Sequence, residues 1–208
     1  MLRVRHAVSR VLHVYADWRI GATDAEKRCY KKTDSILLTF DDYGTEAEIG
    51  DILAILSAER VKAMFFPIGS WAEQHPALMQ QLRGSGHVIG NHTYSHPNLL
   101  KLSEAALARE IEGGIQSRWL RAPQGRANSR VRRLAQQRGY ALCYWSIDSR
   151  DWTGATVAEM RHTILTELHP GAVILFHFHG AHTRELLPQL ISDIRARGYT
   201  LTGPGETW

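Results

Sequence analysis

Two short segments of the sequence carry side chains that could hold a metal ion and move protons. Asp41 and Asp42 are adjacent acids at the end of an apolar run, where the alternation of a strand sends their side chains in different directions. One of them could therefore bind a cation while the other acts as a base. His92 and His96 are spaced i and i+4, which predicts two imidazoles on one face of a helical turn, the spacing of zinc-binding helices. An isolated Asp-Asp is more often a turn or a helix cap, so the two segments are informative mainly in combination.

These side chains need a scaffold that brings them to one place. From residue 35 onward, short β-prone apolar runs alternate with stretches of helical periodicity, which predicts βα units around a parallel sheet or barrel. Seven strands are predicted, at residues 35–40, 62–68, 87–91, 118–121, 140–147, 172–177 and 199–202. Helices are predicted at 45–59, 71–83 and 128–138, with further helices starting at Ser103, Thr156 and Thr183.

The predicted fold is an α/β domain with a distorted, seven-stranded parallel (β/α) barrel. The chain is short for eight βα units, and polar residues gather at the carboxyl ends of the predicted strands, where sites of such barrels lie. Besides the two acidic and two histidine positions, Arg121, Asp148, Asp151 and His177 occupy these ends.

Composition and charge narrow the function classes. The 208 residues, 44% of them hydrophobic, suit one globular domain. The net charge is +4, but residues 1–32 alone carry an excess of five positive charges, which predicts a basic N-terminal arm over residues 1–34 and argues against a nucleic-acid-binding surface on the body. No apolar run approaches the roughly 18 residues of a membrane span, and we expect no signal peptide in this chain.

The chain contains two cysteines, at positions 29 and 143. This number excludes a disulfide-dense scaffold and any Cys-x-x-Cys site, so a metal would have to use histidines and carboxylates. The sequence leaves open whether the two cysteines pair.

Five short motifs occur in an order that resembles the polysaccharide deacetylase family, also called NodB-like or carbohydrate esterase family 4 (CE4). They are TFDD at 39–42, HTYSH at 92–96, RAPQG at 121–125, DSRDW at 148–152 and LFH at 175–177. The resemblance extends from Ser35 to Thr202 and implies that residues 35–208 form a NodB-like catalytic domain.

The resemblance implies a metal-dependent hydrolysis of an amide. Asp42, His92 and His96 match the family's ligands for a divalent metal ion, commonly zinc and sometimes cobalt or another ion. Asp41 matches the base that accepts a proton from the attacking water, and His177 matches the acid that protonates the departing amine. An amine leaving group requires such an acid, because the free amide anion is too basic to leave.

Four further residues match supporting positions of the family. Arg121 resembles the arginine that orients the catalytic Asp41, and Asp151 resembles the acid that holds the catalytic histidine, with Asp148 as a less favoured candidate for that role. Trp152 and Leu175 resemble the residues that line the pocket for the acetyl methyl group, although either residue could belong to an ordinary core.

The sequence also departs from the family pattern. Tyr43 stands where a glycine is more common, and Gln124 replaces a tyrosine, so both are predicted to contact substrate and to alter its fit. Gly113 and Gly114 interrupt a short connection before Arg121, which predicts a reduced or open side of the barrel. His179 lies close to His177 in the sequence and is its rival for the acid role.

The expected function is the removal of N-acetyl groups from a glycan that contains N-acetylglucosamine, such as chitooligosaccharide or peptidoglycan. Two alternatives remain open: the same site could act on another amide, an imide or an O-acetyl ester, or the chain could be a carbohydrate-binding module without turnover. The family's glycans usually lie outside the cytoplasm, so an extracytoplasmic or cell-envelope location is expected. The sequence does not indicate the oligomeric state.

Overall fold

The computed structural model describes residues 22–29 and 34–201, in which parallel strands surround a shared interior. The strands are β1 (Leu37–Asp42), β2 (Met64–Pro67), β3 (Val88–Ile89), β4 (Trp119–Leu120), β5 (Ala141–Leu142), β6 (Ile147–Asp148) and β7 (Val173–His177). One parallel sheet has the order β3-β2-β1-β7-β6, and a second pairs β4 with β5. A bridge between Asn91 and Leu120 connects the two sheets.

The strands therefore follow one another around a ring that is open between β5 and β6. This arrangement confirms the predicted α/β class and the seven-stranded parallel barrel, in a distorted form whose closure is incomplete among the described residues. The central strands β1 and β7 are buried along almost their whole length, as expected for parallel strands that are covered on both faces.

Helices surround the barrel. They are α1 (Asp24–Lys27), α2 (Glu46–Ala58), α3 (Gly69–Gln74), α4 (Pro76–Gly84), α5 (Glu104–Gly113), α6 (Ser129–Gln137), α7 (Val157–Glu167) and α8 (Thr183–Ala196). Ser103, Asn128 and Thr156 cap their helices through their side chains, as the sequence predicts.

Three details of the predicted elements are wrong. The strand predicted at 140–147 is two strands, β5 and β6, and the strand predicted at 199–202 is a single bridge between Leu201 and Ile36 within the described residues. The helix predicted at 71–83 starts at Gly69 and breaks at His75, because the following Pro76 opens a new helix. His87, just before β3, is buried and accepts a hydrogen bond from the amide of Ala63 at 3.2 Å.

Part of the predicted N-terminal arm packs against the domain. Residues 22–29 include α1, and Cys29 forms a disulfide with Cys143 just after β5. The rest of the arm, residues 1–21 and 30–33, lies outside the described residues, as does the segment 202–208. Among the residues that are described, no helix combines the length and the apolar character that crossing a membrane requires.

Candidate active site

Two chain segments bring a carboxylate and two imidazoles together at the carboxyl ends of the strands. Asp42 ends β1, and His92 and His96 lie on the loop that follows β3. The Nε2 atoms of His92 and His96 lie 3.2 and 3.3 Å from Oδ1 of Asp42. One potential ligand atom from each residue falls within 4.8 Å of the others, so the three side chains form a compact set of potential metal ligands.

The loop with the two histidines is not the helical turn that their spacing suggested. Thr93 and His96 have φ values of +65° and +60°, and Asp42 across the site has a φ of +77°. The Oγ1 of Thr93 accepts a hydrogen bond from the amide of His96 at 3.2 Å, which helps to fix this irregular path. Left-handed backbone at non-glycine residues often clusters at functional sites, where the surrounding structure holds it in place.

Buried Asn91 supports the same loop from behind. Its Oδ1 accepts a hydrogen bond from the amide of Thr93 at 2.7 Å, and its Nδ2 donates one to the carbonyl of Ile111 at the end of α5. A Cβ at Gly114 would lie only 2.1 Å from Oδ1 of Asn91. This close approach accounts for a glycine after α5.

The chemistry of the donors suits a cation. The Nδ1 of His92 lies 2.8 Å from the carbonyl of Arg121, which makes Nδ1 the protonated nitrogen and leaves the lone pair of Nε2 facing Asp42. Burial alone would raise the pKa of the Asp42 carboxyl, but the positive charge that His92 and the nearby imidazoles carry when they are protonated holds this pKa well below its ordinary value, so Asp42 is ionised whether the imidazoles face a proton or a cation. Oδ1 of Asp42 is buried and accepts no hydrogen bond.

Asp41 is paired with a buried arginine. Nη1 of Arg121 donates a hydrogen bond to Oδ1 of Asp41 at 2.8 Å and another to Oγ1 of Thr39, also at 2.8 Å. The second carboxylate oxygen of Asp41 lies 3.8 Å from Nε2 of His92. Asp41 thus lies beside the potential metal ligands, with one oxygen fixed by Arg121 and the other facing the site.

His177 is fixed by Asp151 on the opposite side of the site. Its Nδ1 and its backbone amide lie 2.7 Å from Oδ1 and Oδ2 of Asp151, respectively, while Nε2 lies 3.9 Å from Oδ2 of Asp42. Burial disfavours the charged imidazole, but the bond and the charge of Asp151 outweigh this effect and raise the pKa of His177 to about 9. The register of β1 and β7 places Asp41 beside His177, so both strands deliver their polar residues to the same level.

Asp148 and His179, the alternative candidates for the roles of Asp151 and His177, have other contacts. Oδ1 of Asp148 accepts a hydrogen bond from the amide of Arg150, and burial raises the pKa of the Asp148 carboxyl. His179 is half-buried and stacks on Tyr43, with ring centroids 5.0 Å apart. Asp151, not Asp148, is therefore the carboxylate bonded to His177. His179 lies farther out, with its ring centroid 5.7 Å from that of His177.

The predicted substrate-contacting residues differ in exposure. Tyr43 and Trp152 are 51% and 45% exposed, at the ends of different strands, whereas Leu175 is buried on β7. Gln124 is exposed on the loop after β4, with a φ of +56°. Only Leu175 is thus enclosed by the barrel, and the other three lie on its rim.

Sequence reasoning missed several residues that hold the site together. Thr39 and Asn91 are two of them, and Thr183 is a third. The hydroxyl of Thr183 donates a hydrogen bond to Oδ2 of Asp151 at 2.7 Å instead of capping α8. A Cβ at Gly180 would lie 2.2 Å from that same oxygen. The signal available in the sequence was the segment HGAHT at 179–183, in which a glycine and a threonine follow shortly after His177, the predicted general acid.

Comparisons with known proteins agree on one family. The family model described as polysaccharide deacetylase matches residues 29–143. A peptidoglycan-N-acetylglucosamine deacetylase of Bacillus cereus is 33% identical over 183 residues, covering 81% of this chain and 66% of the relative. A chitooligosaccharide deacetylase of Bradyrhizobium is 34% identical over 155 residues, covering 70% of this chain and 71% of the relative. The chain thus spans just under two thirds of the Bacillus cereus relative.

The chain is also similar in fold to a solved structure of a protein that is described as a pseudoenzyme. It is that of a mutant, with restored enzymatic activity, of a CE4-family pseudoenzyme from Bacillus anthracis. The TM-score is 0.79 at 26% identity, and the match covers 84% of this chain and 67% of that one. The fold therefore occurs with and without activity, which makes the completeness of the site decisive.

Proposed function

The chain belongs to the polysaccharide deacetylase family, and we propose that it is a metal-dependent hydrolase that removes N-acetyl groups from a glycan containing N-acetylglucosamine. One observation carries the proposal: an arginine-bound carboxylate and an aspartate-bound histidine lie on either side of a compact Asp-His-His set. A binding module needs neither a fixed base nor a fixed acid, whereas amide hydrolysis needs both.

Asp42, His92 and His96 are the residues that would hold the ion. Two observations support the fit of these residues to an ion. Oδ1 of Asp42 is buried and accepts no hydrogen bond, and the bond between Nδ1 of His92 and the carbonyl of Arg121 leaves the lone pair of Nε2 free for an ion. Three protein ligands leave coordination positions open, as catalytic zinc sites do. A bound divalent ion would supply Lewis acidity toward the acetyl carbonyl and toward water near neutral pH. Zinc is the proposed ion, with cobalt or another divalent ion as the alternative.

Asp41 is the proposed base. Its oxygen toward His92 is available to accept a proton from the attacking water, while the bond between its other oxygen and Arg121 fixes the orientation of the carboxylate. Because Arg121 is fully buried, no bulk water competes for its N–H groups. Arg121 thus orients the base without taking part in proton transfer.

His177 is the proposed acid. Its pKa of about 9 keeps the imidazole protonated at neutral pH, so a proton is available at Nε2 for the departing amine. The Asp151 carboxylate fixes Nδ1–H, which leaves Nε2 directed toward the site. His179 lacks such a carboxylate at its Nδ1, which instead lies 3.2 Å from the carbonyl of Tyr43. We therefore assign the acid role to His177.

The exposed aromatic residues favour a sugar as substrate. In the described part of the chain, the large apolar side chains that are markedly exposed are Tyr43, Tyr94 and Trp152, and all three lie on loops of the site. Aromatic faces suit the apolar faces of pyranose rings, and the nearly neutral body suits an uncharged glycan. We propose that Tyr43, Trp152 and Gln124 contact the glycan at the rim and that Leu175 contributes to the pocket for the acetyl methyl group.

An extracytoplasmic location is also proposed. The disulfide between Cys29 and Cys143 supports it, because disulfides persist mainly in oxidising compartments. Periplasmic or surface fractions that lack the protein, with the cytosol containing it, would refute this part of the proposal.

The test of the proposed function is acetate release by the full chain after chelator treatment, with and without added zinc or cobalt. N-acetylchitooligosaccharides and isolated peptidoglycan are the amide substrates, and acetylated xylan is the ester control. We expect release from at least one amide substrate only when the metal is restored. Release from xylan alone would move the site to esters, and zinc binding without any release would favour the non-catalytic module that the pseudoenzyme relative exemplifies.

A further inference from the structure

Residues 22–29, which we term the N-terminal strap, cover the opening of the barrel between β5 and β6. The amide of Tyr144, which lies between these strands, donates a hydrogen bond to the carbonyl of Glu26 at 2.8 Å. Cys29 is joined to Cys143 by the disulfide, and Cys29, Cys143 and Tyr144 are all buried. The strap is thus bonded to the chain where β5 and β6 do not pair with each other.

Charge also holds the strap in place. The carboxylate of Glu26 is buried and forms an ion pair with Arg132 of α6, and its second oxygen accepts the amide of Thr23 at 2.7 Å in a capping box. A buried carboxylate is stable only when it is paired and hydrogen-bonded. The short helix α1 is therefore anchored through both its backbone and its side chains.

The strap is bonded to Cys143 and Tyr144, and the same two residues bind Arg121. Nε of Arg121 donates to the carbonyl of Cys143 at 3.0 Å, and Nη2 donates to the carbonyl of Tyr144 at 2.9 Å and lies 3.6 Å from Sγ of Cys143. The other end of the guanidinium bonds Asp41 and Thr39. The guanidinium therefore spans from the strapped segment to the proposed base.

We propose that the Cys29–Cys143 disulfide and the strap are positioning elements for Arg121, and through it for Asp41. This inference rests on the proposed function for its catalytic consequence. The position of a fully buried guanidinium is determined by the hydrogen-bond acceptors around it. Two of these acceptors are the carbonyls of Cys143 and Tyr144, the residues that the strap tethers. Release of the tether lets these carbonyls move, and the bond from Arg121 to Asp41 loses its fixed geometry.

The disulfide does not contact the potential metal ligands or the rim. Its loss should therefore lower kcat by about 10- to 100-fold, the usual effect of removing an orienting partner at a metal site, while KM changes little. The zinc content should stay equal to that of the wild type. A general loss of folding would instead lower zinc content and kcat together.

The experiment compares Cys29→Ala with the wild-type chain, with and without Arg121→Lys. If the tether acts through Arg121, Cys29→Ala lowers kcat in the wild-type background but adds little to the loss in the Arg121→Lys background. Leu190→Ala is the control, because it removes a buried side chain of α8 and should lower the melting temperature without lowering kcat at 25 °C. Equal losses in both arginine backgrounds would overturn the proposal.

A second readout does not depend on activity. In protein labelled with ¹⁵N-arginine, the Nε–H of Arg121 should exchange slowly with solvent because it is buried and bonded to Cys143. We expect Cys29→Ala to speed this exchange while zinc binding is retained. Unchanged protection would overturn the positioning role even if the enzyme were active. An inactive wild-type chain with Arg121 protection that depends on the tether would instead refute only the proposed function.

Discussion

Replacing Asp151 with asparagine should change the pH dependence of catalysis in a way that identifies the acid. Asparagine has the same shape as aspartate, but it removes the negative charge that lies 2.7 Å from Nδ1 of His177. That charge and hydrogen bond are the main causes that raise the pKa of His177 from 6.5 to about 9 against the effect of burial. The substitution should therefore lower the pKa of His177 from about 9 toward its ordinary value of 6.5, although the charges of Asp42 and Asp41 remain.

The size of the effect follows from the two protonated fractions. At pH 8 about 0.9 of the imidazole is protonated when its pKa is about 9, and about 0.03 when its pKa is 6.5, so kcat/KM should fall by up to about 30-fold. At pH 6.5 the same calculation gives a loss of only about twofold. A bound cation lowers both pKa values by repulsion, so the separation between the two profiles is the quantity to compare.

The assay is kcat/KM for acetate release between pH 5.5 and 9.5, with zinc content measured at each pH. The descending limb of the profile reports the acid of the free enzyme and should move to lower pH in Asp151→Asn. Asp148→Asn is the matched control, because Asp148 ends β6 three residues before Asp151 but its carboxylate accepts a hydrogen bond from the amide of Arg150. An unshifted limb in Asp151→Asn, or an equal shift in both variants, would refute the assignment of His177 as the acid.

Two further predictions concern stability and packing. His87 is buried and its pKa is lowered to about 4, so stability should be full above pH 6.5 and fall by up to about 3 kcal/mol as the pH drops toward 4; urea melts of His87→Gln should lack this part of the pH dependence, and an identical dependence would contradict the reasoning. Gly180→Ala places a Cβ 2.2 Å from Oδ2 of Asp151, so kcat should fall about 10- to 100-fold; Gly84→Ala, whose Cβ meets nothing within 4 Å, is its control, and equal rates in both variants would count against the packing argument.

The strand ends could be predicted from sequence because their signal is local. Apolar β-prone runs that stop at Asp41 and Asp42 or at His177 fix both the element and the polar residue that follows it. Parallel pairing then brings those ends together, as the register of Asp41 with His177 does. The fold class and the grouping of the polar residues therefore follow from short stretches of sequence.

The loop conformations could not be predicted in the same way. The spacing of His92 and His96 suits a helical turn, but another path is set by the left-handed backbone at Thr93 and by Asn91, which bonds Thr93 and is itself held by the distant carbonyl of Ile111. Likewise, the continuous apolar run at 140–147 hides the break between β5 and β6, where the carbonyls of Cys143 and Tyr144 bond Arg121. These features depend on partners that are distant in the sequence.

The pairing of Cys29 with Cys143 is a similar case. The two residues are 114 positions apart, and nothing near either cysteine indicates its partner. The charge pattern at the start of the chain suggested a separate basic arm, whereas residues 22–29 pack on the barrel through this disulfide and through the ion pair of Glu26 with Arg132. Whether the domain boundary lies near residue 34 stays a prediction.

The most direct test of a working hydrolytic site measures bound zinc and released acetate in the same samples of wild-type and Asp41→Asn protein. Asparagine retains the shape of Asp41 but cannot accept the proton, and the three potential ligands are untouched. We predict equal zinc content in the two proteins and a rate at least about 100-fold lower in Asp41→Asn, the usual contribution of a positioned base. Equal rates in the two proteins, or zinc bound to a wild-type chain that releases no acetate, would contradict the assignment.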